Sequence, residues 1–212
     1  MMIDSAVQVL FDIPKSVIEN FSKICETVDW AAPEMTRSSG VAAEYVRTIR
    51  IPFGHRNNSH DNTQLNTQVA QVQDCFFNEI EPWLQHKFAN QILYKGEINY
   101  LYPSIATPFH VDVCWFHEHS SRIHIPILTN NKSYWATEQQ LIHMPVGSVY
   151  EVNNRIVHSF WNNGVTGRLH IVIDVMPVKT YQHAVKNNIE TSTYTMEPVM
   201  IPADVVIKRN QW

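Results

Sequence analysis

The chain is short of cysteine, of surplus positive charge and of long apolar runs, and each shortage removes a class of protein. Cys25, Cys75 and Cys114 are the only cysteines in 212 residues, and no Cys-x-x-Cys pair occurs. So odd and scattered a set supports neither a disulfide framework nor a zinc ribbon, and it suits a reducing compartment. With 16 Lys and Arg against 20 Asp and Glu, the formal net charge is -4. Nothing is left over to neutralise phosphates, which speaks against a nucleic-acid or anionic-membrane partner. No apolar stretch approaches the roughly 18 residues that a bilayer span needs. The start, Met-Met-Ile-Asp-Ser, carries an acid where a secretory signal would carry Lys or Arg. The reading is a soluble, cytoplasmic protein without repeats or low-complexity tracts. The length fits one domain, 1–212, which can bury on the order of 70% of its unfolded surface. What the chain does have in quantity is histidine, 11 in all.

Hydrophobic periodicity divides the chain into a helical first part and a β-rich remainder. A helix is expected from near Asp12, with Pro14 in its first turn and Val17, Phe21, Ile24 and Val28 on one face. Residues 41–51 alternate as a strand, and 54–62 read as a loop. A second helix runs from Asn62 to about Ile80 with Leu65, Val69, Val72 and Phe76 on one stripe, and Pro82 should break or kink it. Short β-type runs follow at Ile98–Tyr102, Phe109–Cys114, Arg122–Leu128, Gln140–His143, Ser148–Val152 and Leu169–Met176. They lie too close together for crossover helices, so an antiparallel sandwich or barrel with helices outside is expected. The core spans about 96–177, and the tail 178–212 holds one short helix, Tyr181–Lys186.

Two of these strands carry polar groups on one consistent face. Ile123, Ile125 and Ile127 oppose Arg122, His124 and Pro126; Leu169, Ile171, Ile173 and Val175 oppose Arg168, His170 and Asp174. If helices cover the apolar face, the Arg and His face lines the interior, as a polar, anionic ligand would require. His110 and Asp112, two residues apart, point to the same side of another strand. A third ligand, His158, would complete a two-histidine, one-carboxylate set that leaves positions open on non-haem Fe(II). Arg168, ten residues beyond His158, offers a guanidinium fork matched to a carboxylate. A His-x-Asp alone is near the level of chance; order, strand placement and the strand arginines together give it weight.

The motifs Pro108-Phe-His110-Val-Asp112, Arg122-Ile-His124-Ile-Pro126, Pro145-Val-Gly147, Asn154, His158, Asn162 and Arg168-Leu-His170 resemble the aspartyl/asparaginyl β-hydroxylase family of Fe(II)- and 2-oxoglutarate-dependent oxygenases. The resemblance covers roughly residues 95–177. It implies a double-stranded β-helix, a jelly-roll, cupin-like barrel, mainly β with flanking helices. It also implies that His110, Asp112 and His158 hold Fe(II), that Arg168 pairs with the distal carboxylate of 2-oxoglutarate with Arg122 and His124 assisting, and that O2 is the oxidant. Because Asp112 is kept where some members have glycine, the chain is similar to the triad-bearing branch that includes bacterial hydroxylases of free proline. The implied activity is hydroxylation of an amino acid, free or within a peptide or protein.

Further residues receive roles against plainer alternatives. Tyr102 is placed as a donor to 2-oxoglutarate, and Trp115, Arg155 and Asn153 as substrate contacts. Arg122 has the alternative of an ion pair with Asp174 or Glu151. His117-Glu-His119 reads as a solvated loop, and His143 and His170 as packed or hydrogen-bonded histidines. Two other functions stay open: a cupin-type metalloenzyme of different chemistry, and an iron-free β-helix acting as a binding module.

Overall fold

The computed structural model describes residues 5–32, 45–53, 67–189 and 195–198. The expected loop at 54–62 and residues 41–44 of the expected strand lie outside them. Among the described residues, twelve strands form two sheets. The larger has the order β1 (Val7–Asp12), β9 (Ser148–Val152), β6 (Ser121–Leu128), β11 (Arg168–Pro177), β3 (Gln91–Leu101), β2 (Val46–Ile51). The smaller runs β12 (Thr195–Pro198), β5 (His110–Val113), β10 (His158–Asn162), β7 (Ser133–Thr137), β8 (Leu141–Ile142), with β4 (Ile105–Ala106) on β10. Every pairing is antiparallel. Two antiparallel sheets in this order are the jelly-roll double-stranded β-helix.

The main apolar core lies outside the sandwich, between the larger sheet and the helices. Ile123, Ile125 and Ile127 of β6 and Leu169, Ile171, Ile173 and Val175 of β11 are buried there with Phe21, Val72, Phe76, Ile80 and Leu84. Their strand neighbours on the opposite face, His124, Arg168, His170 and Asp174, are buried too, but between the sheets. Both faces of these strands are therefore covered, one by hydrocarbon and one by polar groups. Burying the apolar residues against helices is what leaves the inside of the sandwich free for a charged site.

The helices depart from expectation in instructive ways. The first, α1 (Lys15–Cys25), follows Pro14; Asp12 ends β1 and accepts a hydrogen bond from Ser148 Oγ (2.7 Å) instead of capping the helix. Its fully buried residues are Ile18, Phe21 and Cys25, so the stripe is rotated slightly, with Val17 and Ile24 at its edges. Beyond it, α2 (Thr67–Cys75) passes through a π-helical turn, Phe76–Ile80, directly into α3 (Glu81–Lys87). Pro82 does not end the helical path. It sits in the first turn of α3, where a missing N–H matters least, and the widened π-turn precedes it. A short α4 (Trp115–His119) follows the strand β5, and α5 (Val178–Lys186) starts a turn earlier than the sequence suggested.

Two smaller features hold the sandwich in register. Gly147 takes φ +104° in the turn before β9, a conformation that side chains disfavour. Asn162, fully buried, accepts from Asn130, Ser133 and Gly164 and donates to the carbonyls of Leu101, Tyr102 and Thr166. It thereby ties the end of β10 to the loops before β4 and β11. No helix among the described residues is long and apolar enough to cross a membrane.

Candidate metal centre

Three ligating side chains converge where β5 and β10 lie side by side. His110 and Asp112 occupy alternate positions of β5 and so project to one side, and His158 opens β10 directly opposite His110. One donor atom from each lies within 4.8 Å of the others, and all three residues are buried. One local device orients both imidazoles. Nδ1 of His110 donates to the Pro108 carbonyl and Nδ1 of His158 to the Ile156 carbonyl, each at 2.8 Å. A carbonyl can only accept, so the proton sits on Nδ1 in both rings and both Nε2 lone pairs are left for a metal. Burial pushes His158 down to about 4, which keeps it in the neutral form that ligates.

Asp112 is held as closely. Its Oδ2 accepts from Asn154 Nδ2 (3.0 Å) and from Arg122 Nη1, while Oδ1 lies 3.7 Å from His110 Nε2. Burial by itself would raise its pKa, but Arg122 and the surrounding imidazoles hold the carboxyl far below the usual carboxylate range. The donor set, two imidazoles that present Nε2 and one ionised carboxylate, fits a divalent transition metal such as Fe(II).

Arg122 stands apart from the place given to it with the cosubstrate. Its Nε and Nη2 donate to the two oxygens of Asp174 (2.8 and 3.0 Å), and Nη2 also meets His117 Nε2 at 2.8 Å. The ion pair with Asp174 is the alternative raised above; the contact with Asp112 was not foreseen. His117 is likewise no solvated loop residue. It is 2% exposed on α4, and burial together with Arg122 pushes its pKa down to about 4.

On the facing sheet, Arg168 opens β11 and is 4% exposed. Its Nη2 donates to His170 Nδ1 (2.9 Å), and its guanidinium lies 4.8 Å from the centre of the Phe160 ring. No carboxylate pairs with it among the described residues. Burial lowers its pKa to about 9, the signature of a cation removed from water without a counter-ion. His124 stacks on the other contact of this group, Phe160, at 5.4 Å, and its Nδ1 is 3.4 Å from His170 Nδ1. The Nε2 atoms of His124 and His170 are buried with no hydrogen-bond partner among the described residues. A buried guanidinium and two orphaned ring nitrogens fit an anionic group, and a carboxylate matches the fork.

The other expected residues are dispersed. Tyr102 donates its hydroxyl to the Trp30 carbonyl (2.7 Å), so that donor is already committed. Trp115 is half-buried at the start of α4, stacked on His119 (4.1 Å) and edge-on to Phe116. Asn153 and Arg155 share the turn after β9, where Asn153 Oδ1 accepts from the Arg155 amide (3.2 Å). The residue between them, Asn154, was not singled out, although it contacts Asp112 through both its side chain and its carbonyl. Its only signal was its place in the motif run.

Fold and donor set together define a double-stranded β-helix protein with a buried His–Asp–His group that could hold a metal ion. No protein-family model matches the sequence, and neither does any curated protein. Solved structures do share the fold. A prolyl hydroxylase from Trichoplax adhaerens, in complex with a hypoxia-inducible-factor peptide fragment, matches with a TM-score of 0.50 at 8% identity over 85% of this chain and 88% of that one. A prolyl-4-hydroxylase from Pseudomonas putida matches with a TM-score of 0.50 at 10% identity, covering 82% and 94%. HygX from Streptomyces hygroscopicus, with nickel, 2-oxoglutarate and hygromycin B bound, gives a TM-score of 0.50 at 8% identity, covering 82% and 84%. At such identities the likeness is one of fold.

Proposed function

We propose that the protein is an Fe(II)- and 2-oxoglutarate-dependent oxygenase that hydroxylates an amino acid. The observation that carries the reading is a pairing across the sandwich. The metal-ligand set sits on the smaller sheet, and a buried arginine without an anion sits on the larger one. His110, Asp112 and His158 would hold Fe(II), and Arg168 would take the distal carboxylate of 2-oxoglutarate, with His124 beside it. Bound together, Fe(II) and 2-oxoglutarate supply the activation of O2 that yields succinate, CO2 and a hydroxylated substrate carbon.

The chain's own contribution is placement and exclusion of water. The carbonyls of Pro108 and Ile156 fix which nitrogen each histidine presents, and Asn154 and Arg122 fix the carboxylate. Phe160 has its ring centre 5.9 Å from that of His158 and 4.8 Å from the Arg168 guanidinium, so it lends apolar surface beside both groups. A cupin-type enzyme of other chemistry gives no use to Arg168. A binding module without iron gives no use to two histidines aimed by their Nδ1 protons.

Within this class, the motif spacing favours a relative of the aspartyl/asparaginyl β-hydroxylases in the branch that keeps the carboxylate ligand. The substrate is an amino acid, free, as in free proline hydroxylation, or within a peptide or protein. The test is an anaerobic titration of the metal-free protein with Fe(II) and then 2-oxoglutarate, followed by visible absorption. A charge-transfer band that needs both additions and is lost in His158→Ala supports the oxygenase. Iron binding without a band would favour another metal chemistry, and no iron binding would sink the enzyme reading.

A further inference from the structure

The guanidinium of Arg122 is the centre of a buried network that ends on a metal ligand. Directly opposite Asp174 in the β6–β11 ladder, it grips both oxygens of that carboxylate through Nε and Nη2 (2.8 and 3.0 Å). The same Nη2 reaches His117 on α4 at 2.8 Å, and Nη1 reaches Asp112 Oδ2. Asn154 Nδ2 donates to that same Oδ2 at 3.0 Å. One oxygen of Asp112 thus carries two donors from the protein, while Oδ1 is the one that lies on the side of His110 Nε2, at 3.7 Å. A free carboxylate near a divalent cation can ligate through either oxygen or through both. Here the second oxygen is already taken, and the group that takes it cannot swing away because Asp174 holds it at two points. A lysine could not do the same, since it lacks the planar fork that grips both oxygens of Asp174 while a further N–H reaches Asp112.

We propose that Arg122 is a positioning residue of the metal centre: anchored by Asp174, it occupies Asp112 Oδ2 and restricts this ligand to Oδ1. The inference rests on the oxygenase reading above and deepens it. Restricting the carboxylate to one oxygen keeps coordination positions open for a cosubstrate that needs two of them. It also separates the two arginines, giving Arg168 the cosubstrate carboxylate and Arg122 the metal carboxylate.

Co(II) is a suitable probe, because its visible bands lose intensity as the number of ligands rises. The experiment compares wild type, Arg122→Met and Asp174→Asn, each first melted without metal to confirm that it folds, then titrated with Co(II) and with 2-oxoglutarate. Wild type should bind one Co(II) with intense bands. In Arg122→Met, Oδ2 keeps only the Asn154 donor and can turn to the metal, so the bands weaken, Co(II) affinity changes by about 10–100-fold, the usual effect of losing such a supporting contact, and 2-oxoglutarate binds less tightly. Asp174→Asn retains the arginine but loosens its anchor, so it should shift the bands the same way by a smaller amount; it also carries the test if Arg122→Met fails to fold. Unchanged bands in both variants would overturn the proposal, and unchanged bands with weakened 2-oxoglutarate would return Arg122 to the cosubstrate. Failure of wild type to bind Co(II) would instead strike at the metal reading itself.

Discussion

Replacing Arg168 by methionine should make the metal-free protein more stable while destroying its affinity for 2-oxoglutarate. The guanidinium is buried with no anion among the described residues, and burial lowers its pKa from the ordinary arginine range to about 9. At about 1.4 kcal/mol per pH unit, keeping it charged costs the folded state about 5 kcal/mol. Methionine fills much of the same stem volume without the charge. It forfeits the stacking on Phe160, about 1–2 kcal/mol, and leaves His170 Nδ1 without its donor, about 1–2 kcal/mol more. The net gain is about 1–3 kcal/mol, which for a chain of this length raises Tm by about 2–4 °C per kcal/mol. Binding moves the other way. Two charge-assisted hydrogen bonds to a carboxylate contribute at least about 3 kcal/mol together, so affinity should fall more than about a hundredfold. Thermal melts of the metal-free proteins and a 2-oxoglutarate titration of the Fe(II) forms under argon check both halves. An Arg168→Met protein that melts below wild type, or that binds 2-oxoglutarate as well, would refute the assignment.

Acid should weaken the metal-free protein well before its carboxylates titrate. His117 is held at about 4 in the fold against about 6.5 unfolded. The unfolded chain therefore takes the proton first, so stability is complete above pH 6.5 and falls as the pH drops towards 4, by about 3 kcal/mol for this residue alone. His124 and His170, pushed well below the ordinary value by burial and by Arg168, add to the same slope. Urea unfolding at a series of pH values reads it, and a flat profile between pH 7 and 4.5 contradicts it. Gly96→Ala should destabilise by about 1–3 kcal/mol, because the new Cβ would sit 2.6 Å from Phe53 Cε2 and 2.9 Å from Ile51 Cβ. A melt no lower than wild type would show that Phe53 can move aside.

Much of this was legible because β6 and β11 alternate strictly, and a strand with isoleucines on one face and Arg and His on the other allows few placements. The metal ligands could be proposed from spacing, since His110 and Asp112 need only a strand to share a face. What escaped had no period to read. β1 is an edge strand whose Val9 is 57% exposed, so its apolar residues follow no burial pattern. In β10, Ser159 is fully buried through hydrogen bonds with Thr107, and a hydrophobicity pattern passes over it. The partners of Asp112 lie 10 and 42 residues away, and only the folded arrangement brings Arg122 and Asn154 to it. The π-turn before Pro82 had no signal in the sequence beyond the proline itself.

The division of labour between the two sheets has a consequence for selectivity. The proposed metal ligands come from β5 and β10 of one sheet, and Arg168 from β11 of the other. A molecule gripped at one end by a metal and at the other by that arginine must span the gap between sheets, and the gap is set by the side chains that pack it. The sandwich then acts as a caliper. On the proposed reading, a dicarboxylate one carbon shorter or longer than 2-oxoglutarate would fit this span less well, so the scaffold itself would help to gauge the length of the cosubstrate.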